Sequence, residues 1–245
     1  MKAMLLSAGL GLRLRPITES IPKCLVPIKG VPLLQIWLES LNKANIGPFL
    51  VNTHYLSEQV EDFIEQGGFK SQVTLVHEPQ LLGTAGTLIK NIDFFQDDDG
   101  MLIHADNCCF ANFHEFVNAH KNRPENCVMT MMTFRSNTPS TCGIVELDER
   151  GVVIGFYEKT ESPPGNLANG AIYILSRDLM KNIKNDFSNL IDFSTEVLPT
   201  LIEKIYTYET KELFIDIGTV ESYEKANQLA EIQISNKNVW LSFKR

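Results

Sequence analysis

Cysteine is scarce in this 245-residue chain, and none of its five cysteines stands in a CxxC pair. Cys24, Cys108, Cys109, Cys127 and Cys142 are an odd number, so any full disulfide scheme leaves one unpaired. With no signal peptide recognisable, this excludes a disulfide-stapled framework and predicts reduced thiols in the cytoplasm. Cys108 and Cys109 follow Asp106-Asn107, but no second Cys/His pair lies near them and they lack zinc-site spacing. No apolar run approaches the roughly 20 residues that cross a bilayer, so no membrane partner is expected. Nor does charge of one sign collect in a block. The formal net charge is −8 with no basic stripe, which argues against a nucleic-acid partner. Linkers, repeats and low-complexity stretches are missing too.

What remains is ordinary globular composition, 44% hydrophobic and 21% charged, at a length that suits one large α/β domain. Ala3 to Ser7 is a short apolar run stopped by glycines, as in a buried parallel strand. Pro32 precedes Leu34, Trp37, Leu38 and Leu41 at helical spacing. A strand at Phe49 to Asn52 follows, then a helix N-capped by Ser57 and ended at Gly67-Gly68. Val73 to Val76 reads as a strand, Thr84 to Phe95 as a helix, Met101 to Ala105 as a strand, and Asn112 caps a helix through His120. This alternation predicts a parallel sheet with right-handed crossovers.

After Asn126 the rhythm turns to strands at 127–134, 143–147, 152–157 and 171–175, with a turn at Asp148-Glu149-Arg150-Gly151. Ser194 or Thr195 begins a helix through Glu203, and Val220 to Ile234 forms the last one. The expected fold is α/β, a Rossmann-like three-layer αβα sandwich with a mixed, mainly parallel sheet and a β-rich insertion. We expect one domain over 1–245, with a nucleotide half at about 1–125, a second-substrate half at about 126–234, and a tail at 235–245. The tail, with Trp240 and Phe243, docks on the body or on another subunit of a homo-oligomer.

The strongest signal is Ser7-Ala8-Gly9-Leu10-Gly11-Leu12-Arg13-Leu14-Arg15-Pro16, followed by Pro22-Lys23. Glycines just past a strand let the backbone approach a ligand and aim N–H groups at phosphate oxygens. Arg13 adds a planar fork for phosphate and Lys23 a second cation. A dinucleotide fingerprint fails because its third glycine would be Leu14, and a P-loop fails because no Gly-Lys-Ser/Thr follows. Asp106 ends an apolar strand, where ligands of open α/β sheets gather, although a lone Asp there more often caps a helix or closes a turn. Asp216 also follows an apolar run, and two such carboxylates can hold one Mg²⁺ together with phosphates and water. The Glu158-Lys159 pair taken by itself is a solvated surface pair.

These segments, in order from Met1 to about Gln228, resemble the sugar nucleotidyltransferases, whose signature is a glycine loop with Arg-Leu, then Pro-x-Thr, then Pro-Lys. The chain departs from that pattern at Leu10 (usually glycine), Leu12 (usually a small hydroxyl residue) and Cys24. The resemblance implies transfer of a nucleotide from a nucleoside triphosphate to a sugar 1-phosphate, with pyrophosphate released. Nucleotide contacts would come from Ser7, Ala8, Gly9, Gly11, Arg13 and Lys23. Gly83 and Thr84, in the loop Leu82-Gly83-Thr84-Ala85-Gly86, would face the base, with Glu78 and Gln80 as further base readers. Gly143, Glu158, Lys159 and Asn169 would meet the sugar phosphate, and Asp106 and Asp216 the Mg²⁺. Catalysis would fall to Arg13, Lys23, Asp106 and Lys159. The stretch from Asp192 to Asp216 is most like that of guanylyltransferases acting on mannose or heptose phosphates. Uridylyl- or thymidylyltransferases, and a non-catalytic nucleotide-sugar-binding regulatory subunit, are the alternatives.

Overall fold

The computed structural model describes residues 1–96, 98–186 and 190–237, without the side chains of 184–186 and 231–237. Trp240 and Phe243 of the tail therefore lie outside the described residues. The first half contains β1 (Lys2–Leu6), β2 (Pro27–Ile28), β3 (Val31–Pro32), α1 (Leu33–Lys43) and β4 (Phe49–Thr53). It continues with α2 (Ser57–Gln66), β5 (Val73–His77), α3 (Gly83–Lys90), β6 (Gly100–His104), β7 (Asn107–Cys109) and α4 (Phe113–Lys121). The second half contains β8 (Met129–Arg135), β9 (Gly143–Leu147), β10 (Val153–Glu158) and β11 (Leu167–Leu175). α5 (Arg177–Asp186), β12 (Ile205–Glu209), β13 (Phe214–Asp216) and α6 (Val220–Lys237) complete it.

Among the described residues nine strands form one sheet. β5, β4, β1 and β6 run parallel, and β11 joins them antiparallel to β6. β8 pairs with β11, and β12 lies parallel to β8. The hairpin β9–β10 turns at Asp148, whose carboxylate accepts the N–H groups of Arg150 and Val152. It joins β11 at Ala168, before an irregularity between Asn169 and Tyr173 lets the rest of β11 pair with β6.

Successive residues of a strand point to opposite faces, and here both faces are covered. Ala3, Leu5, Met101 and Ile103 pack with α1, α2, α4 and α6, whereas Met4, Leu6 and Leu102 pack with α3, α5 and the segment 193–201. Two apolar cores sandwich the sheet, so the layering is αβα as expected.

Local expectations needed correction in four places. Leu56, in left-handed conformation, occupies the N-cap of α2, and Ser57 is its first residue. The helix expected over Thr84 to Phe95 is α3 followed by a separate 3₁₀ turn at Ile92–Phe95. The helix expected through Glu203 is one wide turn at Phe193–Val197, capped by Asp192, then a 3₁₀ turn at Leu198–Leu201. Pro199 lacks the N–H an α-helix would use there. Finally, periodicity missed the ribbon β7–β13, whose strands of three residues are too short for alternation to register.

Candidate functional site

The site opens at the carboxyl ends of β1 and β6, where the sheet order sends neighbours to either side. A cavity of about 530 Å³ lies there, under the glycine loop and against Lys23, His104, Asp106 and Gly218. The loop is held from both ends. At its start Ser7 donates its N–H to Asn52 Oδ1 at 2.7 Å and its hydroxyl to the Asn52 carbonyl. At its turn Gly11 has φ +63°, and its carbonyl accepts Thr18 Oγ1 at 2.7 Å. A Cβ on Gly11 would stand 2.9 Å from the Thr18 methyl, so only glycine fits.

Lys23 lies in a 3₁₀ turn closed by Leu25 N–H donating to the Pro22 carbonyl, and only 7% of it is exposed. Its ammonium is 2.8 Å from Asp106 Oδ2 and 3.6 Å from Asp216 Oδ1. The ribbon explains the convergence: Asp216 is in register with Asn107, the residue after Asp106. Trp37 of α1 donates its indole N–H to the Asn107 carbonyl at 3.0 Å and pins the ribbon to the body. Burial works against a charged Asp106, but the Lys23 ammonium and His104 outweigh it and hold the carboxyl below its ordinary 3.8. Arg13 reaches the same corner, since a Cβ on Gly218 would lie 2.9 Å from its Nη2 and 3.2 Å from Asp216 Oδ1.

Two aspartates converging on one cation suit a small hard ion that takes few protein ligands and completes its shell with phosphate oxygens and water. Among the described residues no three His, Cys, Asp or Glu side chains cluster to enclose a metal by themselves. Cys108 and Cys109 are buried in the ribbon, and burial pushes both thiols up to about 12, which leaves them packing groups.

Of the four expected base readers, Glu78, Gly83 and Thr84 line the cavity. Glu78 lines the cavity, yet its carboxylate is engaged within the protein. Oε1 accepts Asn52 Nδ2 at 2.9 Å and Thr87 Oγ1 at 2.6 Å, and Oε2 accepts the Leu82 N–H at 3.1 Å. It therefore organises the cleft wall and, through Asn52, the glycine loop. Gln80 is exposed and does not line the cavity. Thr84 accepts the Phe193 N–H at 2.7 Å and provides no side-chain cap for α3. A Cβ on Gly83 would fall 2.4 Å from the Ile191 carbonyl oxygen, so this glycine gives way to the chain's own segment 190–193.

The residues expected at the sugar phosphate gather on β9, β10 and β11, outside the cavity lining. Gly143 pairs with Glu158, and a Cβ there would meet Glu158 Oε2 at 2.5 Å. Lys159, two-thirds exposed, pairs with Glu158 at 3.2 Å. Asn169 donates to the Tyr173 hydroxyl at 2.7 Å and accepts the Ala171 N–H. Tyr173 links this group to the cavity, because its ring stands edge-on to His104 at 6.5 Å.

Sequence reasoning passed over Asn52, Thr87, Thr18, Tyr173 and the partnership of Gly218 with Arg13. Asn52 carried a usable signal, a polar residue at the inner end of an apolar strand. Thr18, Thr87 and Tyr173 act through side-chain bonds that periodicity does not show, and Gly218 meets Arg13 from the far end of the chain.

A nucleotidyl transferase family model matches residues 2–233. Among curated proteins, a mannose-1-phosphate guanylyltransferase of Mycobacterium tuberculosis is 29% identical over 231 residues, covering 92% of this chain and 63% of that protein. A UTP–glucose-1-phosphate uridylyltransferase of Synechocystis is 28% identical over 243 residues, covering 92% and 62%. The chain thus spans about three fifths of the length of these curated relatives. Among solved structures, HddC from Yersinia pseudotuberculosis complexed with GMP-PN superimposes with a TM-score of 0.78 at 25% identity, covering 94% of this chain and 99% of that one.

Proposed function

Since the chain belongs to the nucleotidyl transferase family, we propose that it transfers a nucleotide from a nucleoside triphosphate to a sugar 1-phosphate and releases pyrophosphate. The observation that carries this reading is the convergence of Asp106, Asp216 and Lys23 beneath a glycine loop. The attacking sugar phosphate is already ionised, so the reaction asks little of acid–base chemistry. It does require two polyanions to be held in line while charge builds on the departing pyrophosphate.

Lys23 supplies fixed positive charge near the reacting phosphorus, and Arg13, across Gly218 from Asp216, stabilises the pyrophosphate end. Backbone N–H groups of residues 8–11 face the phosphates, in a loop that Asn52 and Thr18 keep in place. Asp106 and Asp216 would hold Mg²⁺, which supplies charge neutralisation at the phosphates when bound. Lys159 grips the sugar phosphate, while Glu158 and Asn169 take sugar hydroxyls. For substrates we infer GTP with mannose or heptose 1-phosphate, supported by the guanylyltransferase name of one relative and by the GMP-PN complex of another. A cytoplasmic location fits such substrates, and no described helix is long and apolar enough to cross a membrane.

The test is a panel of four nucleoside triphosphates against several sugar 1-phosphates, with pyrophosphate release as readout. Release that requires both partners supports the reading. Nucleotide-sugar binding with no release under any pairing would favour a regulatory subunit.

A further inference from the structure

Among the described residues five large hydrophobic side chains are exposed: Leu10 at 36%, Leu12 at 55%, Leu81 at 47%, Ile154 at 51% and Ile191 at 63%. Three of them, Leu10, Leu12 and Leu81, line the 530 Å³ cavity. Ile191 packs on Gly83, which lines it too. Three of the five thus line one cavity and a fourth packs on its wall, and a concentration of that kind on a charged surface marks a place where apolar area is covered in use.

The chemistry of the cavity decides what covers it. Where Lys23, Arg13 and Asp106 line it, with Asp216 3.6 Å from the Lys23 ammonium, it suits phosphate and metal. At the leucine end the polar side chains are largely engaged with one another, Glu78 accepting from Asn52, Thr87 and the Leu82 N–H. A sugar with hydroxyls all round finds few partners there. A nucleoside, with a flat apolar base face attached to phosphates, matches both ends at once. The leucines of the loop are also held ready. They flank Gly11, whose carbonyl accepts Thr18 Oγ1 at 2.7 Å and Leu14 N–H at 3.0 Å, so little ordering is left to be done on binding.

We infer that Leu10, Leu12 and Leu81 form an apolar clasp that covers the nucleoside of a bound nucleoside triphosphate. The inference rests on the nucleotide-transfer reading and deepens it. It gives Leu10 and Leu12 a binding role: contact with the base and ribose and exclusion of water from the phosphates behind them.

The experiment measures equilibrium binding in the presence of Mg²⁺. Wild type is titrated with each of the four nucleoside triphosphates, and the tightest binder is carried forward beside inorganic tripolyphosphate, which has no nucleoside. Leu10→Ala, Leu12→Ala and Leu81→Ala are each expected to weaken the nucleotide about three- to tenfold. Tripolyphosphate affinity should stay within about twofold, and Leu→Met at the same positions should keep nucleotide affinity near wild type. Unchanged nucleotide affinity in all three alanine variants overturns the clasp while leaving the nucleotide reading intact. Parallel weakening of tripolyphosphate also overturns it, because that pattern means a damaged loop. A wild-type protein that binds none of the four triphosphates removes the nucleotide reading, and the clasp with it.

Discussion

Lys23 and Asp106, 83 positions apart in the chain, meet at 2.8 Å in the wall of the cleft, with Asp216 Oδ1 at 3.6 Å from the same ammonium. One cation thus serves two carboxylates. Lys23→Met should lower turnover about a hundred- to a thousandfold, since it removes a fixed charge from the reacting centre. It should also cost about 1–3 kcal/mol of stability, discounted because Asp106 is partly open to solvent. Thermal unfolding with and without Mg²⁺ distinguishes the two roles of the ammonium. The variant should gain more from the ion than wild type does, because its paired carboxylates have lost their own cation.

Asp106→Asn and Asp216→Asn should each weaken the response to Mg²⁺ and reduce pyrophosphate release by a similar hundred- to thousandfold. A metal titration of activity is the measurement. If Asp216→Asn alone kept wild-type metal dependence, the ion would be held without the ribbon's second aspartate.

Lys159 pairs with Glu158 at the surface, so replacing it should change stability by less than about 0.5 kcal/mol. Lys159→Ala should instead raise the KM for the sugar phosphate about tenfold or more while nucleotide binding stays as in wild type. Loss of nucleotide affinity without loss of sugar-phosphate affinity would reassign this lysine.

Gly83 has φ +76° and the Ile191 backbone where a Cβ would go. Gly83→Ala should therefore destabilise by about 1–3 kcal/mol and loosen the segment that Thr84 and Ala85 hold. Hydrogen exchange of the Phe193 amide, which donates to Thr84, reports that loosening directly.

His120 is buried, with Thr130 Oγ1 at 2.8 Å from Nδ1 and Asp99 Oδ2 at 3.4 Å from Nε2. Burial lowers its pKa below the ordinary 6.5 even though Asp99 pulls the other way. Asp99, held low chiefly by its contact with His120, stays ionised beside a neutral imidazole. Below 6.5 the unfolded chain takes up a proton that the folded chain refuses, so stability is full above that pH and declines as pH falls through the folded value. Unfolding free energies from urea titrations should show a slope of up to about 1.4 kcal/mol per pH unit from this group, absent in His120→Gln.

The glycine loop and both aspartates were legible in the sequence because each stands just past an apolar run, and strand ends of an α/β sheet collect ligands. Glu78 illustrates what was not legible. From sequence it is a carboxylate near the base loop, but the fold surrounds it with Asn52, Thr87 and the Leu82 N–H and makes it a brace. Gly83 is similar, since its need for a bare backbone comes from Ile191, 108 positions later. Leu10 and Leu12 read as departures from a pattern until their exposure beside Leu81 gave them a shared surface.

By itself the sequence determined the alternation of strand and helix, the αβα layering and the two places where chemistry was to be sought. Those follow from local periodicity and from residues whose backbone or charge is distinctive on its own. Tertiary structure alone decided that Asp216 comes beside Asp106, that Lys23 contacts both, and which polar groups are spent holding the cleft in shape. The pairings of Lys23 with the aspartates depend on a ribbon of three-residue strands and on contacts across 83 and 193 positions, and no local pattern in the chain encodes distance in space.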